Sequence, residues 1–194
     1  MQKVYFILLI IWCSSVSAQT ISFDIRVFGS TIGRMNVSHV KEVDGNELYT
    51  IESNSQARIL WITKTYHSKF EVRYKDGKMI SSSHMETENN KPKRWSKVVY
   101  DGKKYDVDSD KGKRSFTELP AYTDLSLYFD DYKKVNRVFY LPDADFNNIT
   151  HVNDNTVEFK SADGHRNVYF FEKGIIKQME FHLALATVYM TRVN

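Results

Sequence analysis

The residues best suited to chemistry lie in a segment of alternating aspartates. Asp106, Asp108 and Asp110 occupy every second position, as the first ligands of a helix-loop-helix calcium site do. Such a loop needs glycine at its sixth position and glutamate at its twelfth, where this chain has Lys111 and Thr117. Five basic side chains nearby would also repel a divalent cation: Lys103, Lys104, Lys111, Lys113 and Arg114. The sequence therefore favours a solvated strand and turn over a metal site, with the three aspartates as the only candidate ligands.

A basic stretch with interleaved aromatic residues is the candidate for binding an anionic partner. Residues 91–114 hold nine basic side chains against four aspartates, with Trp95, Tyr100 and Tyr105 among them. Such a surface would suit an anionic glycan, a lipid headgroup or nucleic acid. The alternative, which we favour, is a pair of exposed hairpins whose charges prevent edge-to-edge pairing of sheets. The residues of the candidate patch are Lys93, Arg94, Lys97, Lys113 and Arg114.

Signatures of enzymes and cofactors do not occur in the sequence. Its six histidines include no pair at metal-ligand spacing, and there is no nucleophile elbow, phosphate loop or dinucleotide fingerprint. Two carboxylates brought together by the fold would suffice for glycoside hydrolysis. The candidate pairs are Asp130 with Asp131 and Asp143 with Asp145, for which turn and surface roles are the favoured alternative. The sequence thus names no catalytic residue and no cofactor, and it leans against an enzyme.

The first eighteen residues predict export. Lys3 supplies positive charge, residues 4–13 form an unbroken apolar run, and small residues precede Gln19. The run is shorter than the roughly 20 apolar residues that a membrane-spanning helix needs. We therefore predict a signal peptide over residues 1–18, a secreted or periplasmic protein, and no membrane span after cleavage.

The remaining residues, 19–194, predict one β domain held together by its core alone. The only cysteine, Cys13, lies in the predicted signal, so the exported protein would have no disulfide, thiolate metal site or catalytic thiol. Charge is nearly balanced, with 26 basic and 24 acidic side chains after residue 18, which argues against nucleic acid as a partner. Aromatic residues are plentiful and the chain has three prolines, which favours long regular strands.

Hydrophobic alternation with a period of two predicts an antiparallel meander. The longest alternating segment, residues 60–74, would span about 50 Å at ~3.3 Å per residue, so it must bend or coil. Residues 138–141 and 168–171 are apolar on both faces, which predicts strands covered on both sides. We therefore expect an all-β barrel, half-barrel or strongly curved sandwich. Its turns are predicted at Asp44-Gly45, Asp76-Gly77, Asp101-Gly102, Asp154-Asn155 and Lys173-Gly174.

One segment departs from the strand period. Leu125, Tyr128, Phe129 and Tyr132 follow the spacing of an amphipathic helix, with Thr123 in place to cap it. The sequence predicts one short helix over residues 123–134, plugging or flanking the sheet.

The layout resembles a family of exported bacterial proteins of unknown function. The resemblance rests on the Gly29–Gly33 turn, the Asp76-Gly77-Lys78 hairpin, the segment 122–129 and the Lys173-Gly174 turn before a final strand pair. It covers most of the chain after the predicted signal. It implies an all-β envelope protein of Gram-negative bacteria, and it carries over no catalytic residue.

Three functional hypotheses follow. The first is a non-catalytic envelope protein whose concave sheet face holds an apolar small molecule, a lipid or a lipidated envelope protein, because barrel mouths are common ligand sites. The second is a carboxylate-dependent enzyme acting on envelope glycans. The third is a protein-interaction module that docks through the basic hairpins of residues 91–114.

Protein recovered after export should begin at Gln19. Because signal peptidase requires a small residue before the cleaved bond, Ala18→Tyr should block processing and leave residues 1–18 attached. Intact-mass spectrometry of the wild-type and variant proteins measures both outcomes. Wild-type protein that retains residues 1–18 after export would contradict the prediction.

Overall fold

The computed structural model describes residues 17–59 and 61–193, and it shows one large antiparallel sheet. The predicted signal lies outside these residues except for Ser17 and Ala18, which begin the first strand. The predicted meander is confirmed. The strands are β1 (Ser17–Val27), β2 (Ser30–Lys41), β3 (Asn46–Ile59), β4 (Ile62–Lys75), β5 (Lys78–Glu88), β6 (Lys91–Tyr100), β7 (Tyr105–Ser109), β8 (Gly112–Phe116), β9 (Arg137–Tyr140), β10 (Asp145–Asn148), β11 (Thr150–Asn153), β12 (Thr156–Lys160), β13 (Arg166–Glu172), β14 (Ile175–His182) and β15 (Thr187–Val193).

Thirteen strands form the curved sheet, in the order β11-β12-β13-β14-β15-β1-β2-β3-β4-β5-β6-β7-β8. Because β1 pairs with β15, the two ends of the described chain meet in the middle of the sheet, and β8 and β11 are its edges. The sheet is therefore curved but not closed, which agrees with the half-barrel among the three predicted architectures. Edge strand β8 carries Lys113 and Arg114, in keeping with charged residues that discourage edge pairing.

Bulges help the long strands to bend. The register shifts in five pairs of the described strands, and a bulge kinks its strand and increases the local twist. The predicted long strand starts at Ile62 in the structure, because Trp61 lies in the hairpin turn, and Leu60 is outside the described residues. The shifts lie at Ile25/Arg26, Arg73/Tyr74, Glu86/Thr87, His151/Asn153 and Phe170/Phe171.

The concave side of the sheet is filled by the chain itself. Residues 117–149, which we call the interior segment, connect β8 to β11 and contain the β9–β10 hairpin. Leu125 and Phe139 of this segment are fully buried. The segment also packs its rings on the sheet, with Tyr132 and Phe171 centroids 3.6 Å apart. The expectation of a plugging element is therefore met, and the plug occupies the space that a hollow barrel would leave open.

The helix predicted over residues 123–134 is instead two 3₁₀ turns, Asp124–Tyr128 and Tyr132–Lys134. All five residues of the first turn are buried, so this turn has no solvent-exposed face, whereas Lys133 and Lys134 of the second turn are exposed. The backbone is extended at Asp131, whose carboxylate accepts a hydrogen bond from the Lys133 amide at 3.3 Å. This local cap ends one turn and starts another.

A buried carboxylate anchors the tip of the β9–β10 hairpin. The side chain of Asp143 is 1% exposed and accepts hydrogen bonds from Arg94 at 2.8 Å, Lys111 at 3.0 Å and the Ala162 amide at 2.8 Å. These donors come from β6, the β7–β8 turn and the β12–β13 loop. Breaking such a buried pair typically costs about 3–5 kcal/mol, because it leaves a charge without a partner. Asp143 thus joins the interior segment to both halves of the sheet.

Gly33 should be the most sensitive glycine of the sheet. A Cβ atom at Gly33 would lie 2.1 Å from the Asn54 carbonyl oxygen, so Gly33→Ala must displace backbone and should lower the free energy of unfolding by about 1–3 kcal/mol. Urea unfolding measures this as a lower midpoint. Gly77→Asn is the matched control, since a Cβ there meets nothing within 4 Å and Asn tolerates positive φ. Equal midpoints for Gly33→Ala and the wild type would contradict the prediction.

Candidate functional site

An open groove of about 420 Å³ lies at one end of the curved sheet. It is formed where the β2 bulge, the outer parts of β3 and β4, and the β5–β6 turn come together. Its volume falls in the range of small-molecule sites, about 300–1,000 Å³. We call it the end groove. Its lining residues are Ile32, Asn54, Ser55, Gln56, Thr65, Tyr66, His67, Thr87 and Asn90.

The end groove is lined by neutral hydrogen-bonding groups. Amides, hydroxyls and one imidazole supply donors and acceptors, and no carboxylate or ammonium group belongs to the lining. Nδ1 of His67 lies 2.7 Å from Oδ1 of Asn54, so His67 donates this hydrogen bond. Ile32, the extra residue of the β2 bulge, and the half-buried ring of Tyr66 provide an apolar part. The groove therefore suits a group that needs hydrogen bonds rather than a compensating charge.

Charged side chains beside the groove are paired with one another. Lys93 lies 3.6 Å from Glu86 and 3.4 Å from Glu88, and Lys64 donates to Glu88 at 2.5 Å. The hydrogen bond from Lys64 lowers the pKa of Glu88. Both glutamates are thus held near ammonium groups, and the ionised form of Glu88 is favoured. Glu88 therefore does not provide the protonated carboxyl group that a glycosidase needs as its general acid.

A second cluster of acids surrounds His39, which the sequence gave no reason to select. Glu47 accepts hydrogen bonds from His39 at 2.9 Å, Lys41 at 3.0 Å and Tyr49 at 3.2 Å. Burial raises the pKa of Glu47, but these three hydrogen bonds outweigh it and lower the pKa below its ordinary value. Burial also raises the pKa of nearby Asp130. With three donors on its two oxygens, Glu47 is a structural carboxylate that stabilises the β2–β3 end of the sheet.

The acid pairs predicted from sequence do not share a cleft. Asp131 caps the second 3₁₀ turn, and Asp130 belongs to the His39 cluster. Asp143 is buried in its cluster of donors, while Asp145 lies on the surface 3.8 Å from Arg114. The geometry therefore gives neither pair a role in general acid–base catalysis.

A second open groove, of about 440 Å³, brings together part of the predicted basic patch and part of the predicted aspartate site. Lys104 lies 2.8 Å from Asp106, and Lys113 lies 3.5 Å from Asp108, so both aspartates are paired with lysines. Asp110 accepts instead from the Trp95 amide. Residues 17–59 and 61–193 contain no group of three or more acidic or histidine side chains placed to hold a metal ion. The lining residues are Lys97, Val99, Asp106, Val107, Asp108, Lys113, Arg114 and Ser115.

The other basic residues of the predicted patch point to internal partners. Arg94 binds Asp143, and Lys93 bridges Glu86 and Glu88. Arg114 lines the second groove but also donates to the Ala144 carbonyl of the interior segment. The five residues therefore do not form one patch.

The whole-chain comparisons agree with this fold. The family described as Domain of unknown function (DUF6134) matches residues 23–193. The chain belongs to this family. It is also similar to a solved structure described as "Crystal Structure of Beta-barrel-like Protein of Domain of Unknown Function DUF1849 from Brucella abortus", with a TM-score of 0.60, 11% identity, and coverage of 94% of this chain and 98% of that chain. Identity this low supports the likeness of fold alone. No curated protein matches the sequence.

The described part of this family member contains no helix with the length and hydrophobicity of a bilayer-spanning segment.

Two titratable side chains are buried in their neutral forms, a deprotonated histidine and a protonated aspartate. His84 lies on the concave face against Phe70, with ring centroids 4.4 Å apart, and burial and the nearby charge of Arg94 lower its pKa to about 4. Asp124 is fully buried in the first 3₁₀ turn, and burial raises its pKa to about 7 despite hydrogen bonds from backbone amides. At pH 5–6 both groups are therefore neutral in the folded protein.

The two groups should give the stability opposite dependences on pH. His84 is protonated more readily when unfolded, so its contribution is lost as the pH falls from 6.5 towards 4. Asp124 ionises more readily when unfolded, so its contribution is lost as the pH rises from about 4 to 7. As the pH falls from 6.5 to 4, the free energy of unfolding of His84→Phe should therefore rise by about 3 kcal/mol relative to that of the wild type. As the pH rises from about 4 to 7, the free energy of unfolding of Asp124→Asn should rise by about 4 kcal/mol relative to that of the wild type.

Urea unfolding of both variants and the wild type between pH 4 and 7 measures these differences. The neighbouring charges Arg94, Asp110 and Asp143 remain in all three proteins. Two variant curves that run parallel to the wild-type curve would contradict the assignment.

Proposed function

We propose that the protein is exported to the envelope of a Gram-negative bacterium and acts there by binding rather than by catalysis. In this proposal the end groove takes the polar headgroup of a lipid or of a lipidated partner. Support for export comes from the predicted signal over residues 1–18 and from the family resemblance. Support for a non-catalytic role comes from the acidic side chains on the concave side. They form ion pairs with basic groups, cap a 3₁₀ turn or are buried.

The proposal of a site at the end of the sheet rests on the position of the apolar core. The sequence led us to expect an apolar ligand against the concave face, but the interior segment covers that face and buries Leu125, Leu127 and Phe139 there. The end groove, in contrast, lies beyond the interior segment and is open to solvent. A ligand of this protein is therefore expected at the end of the sheet and not in its centre.

The lining of the groove favours a ligand with hydrogen-bonding groups. A wholly apolar ligand would remove Gln56, Thr87 and Asn90 from water without replacing their hydrogen bonds, at a cost of about 1–3 kcal/mol for each unsatisfied group. A headgroup with ester, phosphate or hydroxyl oxygens would accept or donate these bonds. Ile32 and Tyr66 would contact the first carbons next to such a headgroup.

Protein purified from its native envelope should carry a lipid or a lipidated molecule that organic extraction releases. Ser55→Trp places a large ring in the end groove and should lower the amount of this molecule at least about tenfold, since the ring occupies its site. Mass spectrometry of the extracts measures the molecule per mole of protein.

Ser115→Trp is the matched control, because Ser115 lines the second groove and the same ring there should leave the amount unchanged. A wild-type extract with no molecule enriched over the Ser55→Trp extract would contradict the proposal. Equal losses in both variants would contradict the assignment to the end groove.

A further inference from the structure

Three neighbouring hairpins turn at the same end of the sheet. In an antiparallel meander, alternate hairpins share an end, and here the β14–β15, β1–β2 and β3–β4 hairpins are neighbours in the sheet order. Val27 pairs with Ser30 on one side and Val188 on the other, so the first two tips lie at the same level. β3 extends to Ile59, past Ser55, which pairs with Gly33. The third tip therefore reaches the level of the other two.

All three tips carry exposed large apolar side chains. Leu185 is 95% exposed, Phe28 83% and Trp61 80%. A single exposed apolar residue is normal on a protein surface, but a group of them marks an interaction site. We call this group the apolar rim. It consists of Phe28, Trp61, Ile62, Leu183 and Leu185.

Phe28 occupies a backbone conformation that does not suit it. Its φ of 48° and the φ of 80° at Gly29 form a turn with two left-handed residues, where asparagine and glycine are preferred. Among the described residues, Phe28 is the only aromatic residue with positive φ. A bulky side chain there is strained and points to a role other than folding. Asparagine would adopt this backbone conformation with less strain, so the fold alone does not explain the exposed ring.

The opposite end of the sheet has a different composition. Its turns are the polar ones at Asp44-Gly45, Asp76-Gly77, Asp101-Gly102, Asp154-Asn155 and Lys173-Gly174. The rim segments 26–32, 57–64 and 181–188, in contrast, contain Arg26, Arg58 and Lys64 and no acidic residue. The three tips are therefore apolar, with positive charge from Arg26 and Arg58, since Lys64 is paired with Glu88. The other turns at this end, Asn89-Asn90, Asp110-Lys111 and Asp163-Gly164, are polar like those at the opposite end.

We propose that the apolar rim inserts into the interfacial layer of a phospholipid bilayer and docks the molecule by this end. Tryptophan is enriched at the boundary between headgroups and hydrocarbon, and binding of this kind grows with buried apolar area and with attraction to anionic lipids. Arg26 and Arg58 would then lie among the headgroups. The end groove opens at the same end of the sheet, so docking would bring it to the lipid surface. This inference goes beyond the proposed function and does not depend on it.

Flotation with vesicles of phosphatidylethanolamine and phosphatidylglycerol tests the proposal. The exported wild-type protein should float with the vesicles. Trp61→Ser, Phe28→Asn and Leu185→Ser should each weaken binding about tenfold, because each removes one large apolar side chain from the bilayer contact. Phe28→Asn should also raise the Tm, since asparagine suits the left-handed conformation, and its loss of binding would then not reflect unfolding.

Tryptophan fluorescence provides a test without altering the rim. Trp95 is half-buried on β6, so the Trp95→Phe protein reports on Trp61 alone among the described residues. Its emission should shift to the blue when the vesicles are added. An unshifted spectrum would overturn the proposal.

Two controls separate this inference from the alternatives. Val43→Ser changes an exposed apolar residue in the β2–β3 turn at the opposite end and should leave flotation unchanged. Ser115→Trp, which adds a tryptophan to the second groove on β8, should also float as the wild type does. A wild-type protein that does not float, or rim variants that float like the wild type, would overturn the proposal. So would a rim that binds envelope proteins but not protein-free vesicles.

Discussion

A curved sheet that does not close must have its concave face covered, and in this molecule the chain provides the cover. The interior segment lies between the two edge strands in sequence and packs across the face that those edges leave open. Without a disulfide in the described chain, this apolar contact is what holds the two halves of the sheet together. Burial of aromatic and aliphatic side chains is the dominant favourable term in folding, and here it is concentrated between one segment and one sheet. Any ligand site is therefore displaced from the centre of the concave face, because the interior segment already occupies it.

Most of the polar groups that could take part in catalysis instead stabilise this architecture. Asp143 joins the interior segment to Arg94 and Lys111, and the donors around Glu47 fix the end of β2 and β3. A carboxylate whose oxygens are all engaged cannot also take a proton from a substrate, so the same contacts that stabilise the sheet argue against an acid–base enzyme. The hydrogen-bonding groups that line the end groove take no part in these two clusters. Binding surfaces on loops held by a rigid scaffold are common for this reason.

The sequence predicted those features that depend on neighbouring residues. Alternation located the strands, and Asp76-Gly77 and Lys173-Gly174 located turns, because a left-handed backbone selects these residues locally. The helix over residues 123–134 was wrong in form, since its period-3.6 spacing did not reveal that the first turn, Asp124–Tyr128, would be buried on all sides. Arg94 and Arg114 were named as candidates for an anionic partner because the groups that they contact, Asp143 and the Ala144 carbonyl, lie far away in the chain. The apolar rim did carry a sequence signal: Trp61 and Phe28 stand where a polar turn residue is usual.

The most direct measurement of the central claim is hydrogen exchange of the folded protein, resolved by residue. If the interior segment fills the sheet in solution, the amides of Phe139 and Ile149, which donate to the carbonyls of Tyr122 and Asn136, should exchange as slowly as those of Val37 and Val72 in the sheet. If Phe139 and Ile149 exchange orders of magnitude faster while Val37 and Val72 stay protected, the segment leaves the sheet readily. The concave face would then be open, and this account of the molecule would be wrong.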